Sequence, residues 1–381
     1  MSEVEFDRPD ADSSFLTFVR NEFQKRGTPL RKKLANKHSA AQEVQKLGLK
    51  VPKKLRILEN IEDLKPWHLK RRAVLKYGRG WSARGVMLLE RKGINRYFDH
   101  LSLQKYALQS IKEHQARVAK SFGSKDPNWI LEELLEPTHA FGAVPYDYKF
   151  YVFGGQIGLI LQVDRNTTPP KQALFDGSFK PLHLGVDYLL TGKSCQPGLP
   201  IVPPHATELM WWALKLASIT DSPFVSIDLY DTPQGPVFGE FTFSPGATHK
   251  RMFTLSKRLI DYYDELFNAA EKRLEEGVEV KRGQFDTDMA RFVDLVATAD
   301  YKTLARTSKI PTELYKTWSG VAYNRGSIGA LRLSEYFRNR AEAAEDQTEK
   351  AIYTHLSSAW ESIQKEVKAH TRKYKAMAAT P

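Results

Sequence analysis

A single cysteine, Cys195, stands among 381 residues, so no internal disulfide can form and the chain suits a reducing cytoplasm. No histidine or acid neighbours it in sequence to activate the thiol, which leaves it a structural role. Long apolar runs are missing too: nothing approaches the roughly 18 residues of a membrane span. The first residues, MSEVEFDRPDADSS, are acidic and carry no apolar stretch, so a secretory signal is not expected and the expected location is cytoplasmic. There is no evident Ser/His/Asp or Cys/His arrangement: His139, His183, His205 and His249 are scattered and read as surface or core histidines rather than bases. Internal repeats and low-complexity tracts are absent as well.

What the chain has in surplus is positive charge, with 57 Lys and Arg against 45 Asp and Glu, a formal net charge of +12. That surplus calls for an anionic partner, and nucleic acid, nucleotides, acidic sugars and anionic lipid surfaces all answer the description. The runs RKKLANK and KVPKKLR near the start and HTRKYK near the end concentrate the charge, although such runs are most often solvated faces or tails. At 41% hydrophobic and 27% charged the composition is that of an ordinary soluble globular protein, and the length suggests two or three domains.

Strand and helix patterns interleave without a long series of parallel strands, which predicts an α+β fold. Residues 1 to about 30 are polar and expected to be only partly ordered. SAAQEVQKLG predicts a short helix stopped by Gly48, and LKVPKKLRIL a strand with a proline at its start. Between Val74 and Val163 the pattern predicts strands at AVLKYG, GVMLLE and WILEELL, a helix from Leu103 to Phe122, and a strand pair, YKFYVF and IGLILQV, turning at Gly154 and Gly155. An apolar helix, ATELMWWALKLASI, follows. Beyond Phe285 almost everything has helical period. Four units are expected: an N-terminal α/β segment (1–72), two units carrying strands (73–145 and 146–284) and a helical domain (285–381).

Three segments carry chemistry. FVSIDLYD and PVFGEFTF read as a hairpin through TPQGP, and centring it near Gln234 sets Asp228 opposite Glu240 on one face, with Phe238 and Thr242 alternating in phase with Glu240. Opposed like charges at about 4 Å repel by roughly 4 kcal/mol at an effective dielectric near 20, so a cation is expected, and so few hard oxygen ligands suit Mg²⁺ arriving with phosphates. A solvated hairpin whose acids face water would read the same way. In VLKYGRGWSARGVMLLER, Lys76 closes a strand and Gly78, Gly80, Ser82 and Gly85 form a loop whose amides could approach phosphate oxygens; the spacing is not that of the P-loop, and a flexible hairpin is the plain alternative. In DYKFYVFGGQIGLILQVDR, Lys149 and Arg165 come to the same end of a hairpin.

Taken in order, the strand lysine with its glycine loop, EELLE, DYKFYVFGG, VDR and SIDLYDTPQGPVFGEFTFSPG resemble the ATP-grasp superfamily, and within it the TupA-like branch associated with teichuronopeptide and other cell-envelope polysaccharide synthesis. ANKHSAAQEVQKLGLKVPK resembles that branch's opening segment, and the likeness covers roughly residues 30 to 270. The resemblance implies antiparallel sheets sandwiching a nucleotide, with a lid subdomain at 73–145, a catalytic sheet at 146–284 and a helical C-terminal extension. It implies ATP and Mg²⁺. Lys76 and the loop would lie over the phosphates; Glu133, Leu134 and Leu135 would hold adenine through backbone groups, with Glu136 at the ribose; Lys149 and Arg165 would face the terminal phosphates. Asp228 and Glu240 would bind magnesium, joined by Thr242 where many relatives carry asparagine. The branch often has arginine where Ser226 stands.

The activity so implied is carbon–nitrogen ligation through an acyl phosphate with release of ADP, acting on a small carboxylate and an amine or thiol, with an acidic glycan as a further partner. A kinase acting on a hydroxyl is the alternative. A nucleotide-binding regulator is another, because YKTLARTSKIPTELYKTWSG (301–320) resembles a helix-turn-helix core through Ala305, Ile310, Leu314 and Trp318, as does any helical hairpin. Nucleic acid is not the expected partner.

Overall fold

A computed structural model of the chain describes residues 13–277, except 79, 81, 82, 124, 125, 139–141, 178, 180, 191–193, 204, 250 and 251, together with scattered helical positions from 331 to 365. The 301–320 segment and most of the expected helical domain lie outside the described residues. Helices α1 (Ser14–Phe23), α2 (Pro29–Leu34) and α3 (Lys37–Lys46) lead into β1 (Lys54–Leu58). There follow β2 (Arg72–Tyr77), β3 (Val86–Gly93), β4 (Arg96–Asp99), β5 (Gln104–Tyr106), α4 (Leu108–Phe122) and β6 (Trp129–Glu133). The second half holds β7 (Asp147–Phe153), β8 (Gln156–Asp164), β9 (Lys171–Asp176), β10 (Tyr188–Leu190), β11 (Gln196–Pro197) and α5 (Ala206–Ala217). It ends with β12 (Phe224–Thr232), β13 (Gly235–Thr242), α6 (Gly246–His249), β14 (Phe253–Leu255) and α7 (Lys257–Glu275).

The result is α+β, as the interleaved patterns predict. One six-stranded sheet runs β1-β6-β2-β3-β4-β5, all antiparallel; a second runs β11-β9-β8-β7-β12-β13, antiparallel except for its β11 edge. The outer face of the first sheet, with Leu75, Tyr77, Met87 and Leu131, packs on Ile111 of α4. The second sheet is covered on both faces, so its central strands are apolar almost throughout instead of alternating. Val225, Ile227, Leu229, Phe150 and Ile160 face α5 and α3. Tyr151, Phe153, Leu161 and Phe224 face α7 and α1.

Two expectations are corrected. Helix α4 begins at Leu108, not Leu103, because β4 and β5 occupy the preceding residues. The polar N-terminal stretch contains α1, whose Phe15 is fully buried and whose ring lies 4.8 Å from that of Phe224. Ser13 Oγ and the Phe15 amide both donate to Asp264 Oδ1 (2.7 and 2.9 Å), which fixes that helix on α7.

Four residues join the sheets. The Phe238 amide donates to Lys50 O (2.9 Å) at the β13 edge, while Lys53 exchanges two hydrogen bonds with Glu133 at the end of β6 (2.8 and 3.0 Å). The N-terminal segment thereby clasps one sheet to the other.

The β12–β13 hairpin is irregular at one place. Leu229 pairs with Phe238, but Asp228 pairs with Glu240, so Gly239 is a bulge. Phe238 therefore faces the α5 core with Phe241 and does not share a face with Glu240, contrary to the simple alternation. With no bulge Glu240 would stand opposite Ile227, on the apolar face, since a one-residue slip exchanges faces. A Cβ at Gly239 would lie 3.0 Å from Tyr230 Cε2 and 3.1 Å from the Asp228 carbonyl oxygen. Gly239→Ala is accordingly expected to lower stability by about 1–3 kcal/mol in urea unfolding; an unchanged midpoint would show that the bulge tolerates a side chain and does not set the register.

Candidate active site

Register, not loop placement, assembles the charged centre. Glu240 of β13 pairs with Asp228 of β12, and Asp228 pairs with Lys149 of β7, so the three side chains form a row across three strands on the α7 face. Asp147 lies two residues before Lys149 on the same face and takes Arg165 through Nε and Nη2, both at 2.8 Å. The Lys149 ammonium bonds Asp228 Oδ2 and lies 3.8 Å from Asp147. From the start of α3, Lys37 reaches Glu240 at 3.4 Å. The opposed carboxylates expected to need a cation thus have two lysines of the chain to answer them.

Burial, with Glu240 and Asp147 nearby, pushes the Asp228 carboxyl up to about 7 against the pull of Lys149. Burial also works against Glu240, but Lys37, Lys149 and Lys76 outweigh it and hold this carboxyl below its usual value. Lys149 keeps its proton more firmly than an ordinary lysine: burial opposes its charge, and Asp228, Asp147 and Glu240 overcome that. Asp147, ahead of any other cause, raises Arg165. Asp228 Oδ1 and Ser226 Oγ are buried with no hydrogen-bond partner among the described residues. Thr242 pairs with Ser226 at the next position along the hairpin. Among the described residues no group of three or more His, Cys, Asp or Glu is disposed to hold a metal unaided.

The first sheet contributes Lys76, whose ammonium bonds Glu132 Oε2 and whose charge reaches Glu240. Beside it Val74, Leu88, Leu134 and Val144 form an apolar patch. The glycine loop is tightly folded: the Gly78 amide donates to Asn128 O (2.9 Å), the Gly80 amide to Tyr77 O (3.1 Å), and Gly85 O accepts from the Tyr77 amide (2.9 Å). The amides of Gly78 and Gly80 are thus committed inside the protein, and Ser82 lies outside the described residues. The Glu133 amide is likewise taken by Lys53 O (3.0 Å). Leu135 follows it in a half-buried position, and Glu136 is exposed, 3.9 Å from Arg72.

Sequence reasoning missed Asp147, Glu132 and Lys37. The first was legible, since strand period two puts Asp147 on the face of Lys149. The other two meet their partners across strands or from a separate helix, which no local spacing reveals.

Two largely antiparallel sheets thus carry the charged centre, with Lys76 on one and Lys149 and the Asp228–Glu240 pair on the other. Residues 19–262 match the profile of the TupA-like ATP-grasp family, well over half the chain, and the chain belongs to that family. No curated protein matches the sequence. Solved structures similar to it include the ATP-grasp ligase PsnB complexed with a phosphomimetic variant of minimal precursor, Mg and ADP (12% identity, 66% of this chain and 65% of that one, TM-score 0.35). Another is the D-alanine–D-alanine ligase from Bacillus anthracis (14% identity, 64% of this chain and 68% of that one, TM-score 0.38). A third is a RiPP-associated ATP-grasp ligase from Chryseobacterium gregarium in complex with ADP and a leader and core peptide (13% identity, 67% and 66%, TM-score 0.32). The chain spans 65% of the PsnB chain, under two thirds of its length.

Removing Lys149 would leave two carboxylates opposed with only Lys37 at one end. Lys149→Gln is expected to cost about 3–5 kcal/mol of stability in metal-free buffer at pH 8, measured by denaturant unfolding. The deficit should shrink at pH 5, where an Asp228 pushed up to about 7 carries a proton and needs no ammonium. Equal loss at both pH values would mean that packing, not charge, is what Lys149 provides.

Proposed function

We propose that the chain is an ATP- and Mg²⁺-dependent ligase that joins a carboxylate to an amine or thiol through an acyl phosphate and releases ADP, in polysaccharide or peptide-conjugate biosynthesis. The observation that carries this reading is the row Glu240–Asp228–Lys149, with Lys76 of the other sheet close enough to act on Glu240, in a chain of the TupA-like ATP-grasp family. The donor set fits magnesium: two carboxylates, one with a buried oxygen that lacks a partner, and the Thr242 hydroxyl beside them. Asp228, Glu240 and Thr242 would hold the ion, which when bound polarises phosphate oxygens. We assign residues 73–145 to a lid and 146–284 to the catalytic sheet, with 1–72 and 285–381 flanking them.

The protein's part is positioning and neutralisation. The patch of Val74, Leu88, Leu134 and Val144 offers an apolar bed for a base, Lys76 a charge for the phosphates, and Lys149 and Arg165 charge for the γ-phosphoryl group. A substrate carboxylate oxygen attacks the γ-phosphorus and the bond to the ADP oxygen breaks. The amine then attacks the acyl carbon, gives up a proton and expels phosphate. No protein nucleophile takes part.

One observation favours a second reading, a kinase that phosphorylates a hydroxyl: Ser226, where the branch often has arginine, is buried with an unpartnered hydroxyl and brings no cation to an acyl phosphate. Hydroxylamine separates the two. With ATP, Mg²⁺ and candidate acids, hydroxamate accumulation supports the ligase, and a stable phosphate ester with no hydroxamate supports the kinase. Calorimetry should also show Mg·ATP binding that Lys76→Ala weakens roughly tenfold to hundredfold, as loss of a charged hydrogen bond does. A wild-type protein with no affinity for ATP would remove the assignment altogether.

A further inference from the structure

Residues 31–72 hold thirteen Lys and Arg against four Asp and Glu, a surplus of nine in a chain whose net charge is +12. Two of the most exposed large apolar side chains lie in loops that join strands of the first sheet: Trp67 at 73% and Ile94 at 91%. Trp67 sits in the loop between β1 and β2, and Ile57 of β1 is exposed as well (56%). Around Trp67, Arg56 and Lys65 both act on His68, whose ring lies edge-on to the indole, with Asp63 acting against them; the loop also carries the exposed Glu59 and Glu62, and Lys53, Lys54, Lys70 and Arg71 on its two flanks keep the balance positive. Ile94 occupies the tip of the β3–β4 hairpin, RKGINR, where all six residues from Arg91 to Arg96 are exposed, three are basic and none is acidic.

Both apolar side chains stand on firm supports, and the supports meet on one helix. Asn95 Oδ1 accepts from the Leu108 amide (2.9 Å) at the start of α4, which pins the hairpin tip. One turn along, Lys112 donates to Glu62 O (2.7 Å) and pins the Trp67 loop, engaging the Glu62 carboxylate at 3.4 Å as well. An isoleucine at a hairpin tip has no local reason to be there, since turns favour Gly, Asn and Asp.

We propose that the α4 side of the lid sheet docks on an anionic lipid bilayer, with Trp67 and Ile94 entering the interface and Arg56, Lys65, Arg91 and Arg96 meeting the headgroups. Tryptophan at an interface flanked by long basic side chains that reach headgroups is the chemistry of peripheral attachment. An aliphatic hairpin tip suits a medium that yields around it better than the fixed surface of a protein. Attachment is independent of the ligase reading, because none of these residues lies in the cleft.

The test is co-sedimentation of the full chain with vesicles of phosphatidylcholine alone or mixed with phosphatidylglycerol. Binding is expected only to the mixed vesicles, weakening as salt rises. Trp67→Ser with Ile94→Ser should lower the partition coefficient about tenfold or more, and Arg91→Gln and Arg96→Gln about fivefold each, with melting temperature and ATP affinity unchanged. Equal sedimentation with neutral vesicles, undiminished binding by the Trp67/Ile94 variant, or no binding by wild type at low salt would each overturn the proposal. Soluble polyglutamate bound through the same residues, with vesicles ignored, would overturn it in favour of an acidic polymer.

Discussion

Two carboxylates cannot lie side by side in a buried sheet unless something positive answers them, and much of this fold is arranged to meet that condition. The bulge at Gly239 turns Glu240 from the apolar face to the face of Asp228. The register of β7 then brings Lys149 against Asp228, and the clasp at Lys50 and Lys53 holds the N-terminal segment where Lys37 can reach Glu240. Shift the β7 register and the buried Asp228 loses its ammonium, at a cost of several kcal/mol, whereas Glu240, more than a third exposed, loses less with Lys37.

The centre is balanced pair by pair. Lys76 is matched with Glu132, Lys149 with Asp228, Arg165 with Asp147 and Lys37 with Glu240. A polyphosphate entering such a site does not meet free cations; it competes with acids for them. The competition is even only if the acids gain something in return, and a divalent cation on Asp228 and Glu240 is what would release Lys149 and Lys37. On the proposed reading, metal and nucleotide should therefore enter together, each making room for the other, an economy that a site built of unpaired lysines would lack.

How much of this the sequence disclosed follows from the range of each interaction. Centring the hairpin near Gln234 gave the Asp228–Glu240 pairing, yet the register at the turn, Thr232 with Gly235, reaches that pairing only through the bulge; the Gly154–Gly155 turn was legible because paired glycines suit the positive φ they take (+49° and +100°). The bulge was not legible: inserting one residue leaves the apolar alternation nearly intact while changing which residues share a face. Helix α1 was missed because its buried side is narrow, chiefly Phe15 and Val19, in otherwise polar sequence. The pairs Lys76–Glu132 and Lys37–Glu240 join residues 56 and 203 positions apart, and only the folded arrangement of the sheets states them. In the glycine loop, composition suggests open amides, while the structure has those of Gly78 and Gly80 hydrogen-bonded within the chain.

The two departures from the family pattern, Ser226 and Thr242, fall on one cross-strand pair, immediately beside Asp228 and Glu240. An arginine at position 226 would point a guanidinium along the same face, next to Tyr151, whose hydroxyl already meets Thr248 at 3.0 Å. With serine there, no cation comes from that position, and on the proposed reading stabilising a transferred phosphoryl group would fall to Lys149 and Arg165. Both are held by acids from neighbouring strand positions, so the charge they offer depends on how far Asp228 and Asp147 release them. On the proposed reading, catalytic strength in this chain would thus be tied more closely to occupancy of the Asp228–Glu240 site than in a protein that carries an arginine there, whose charge would be available whatever the acids bind.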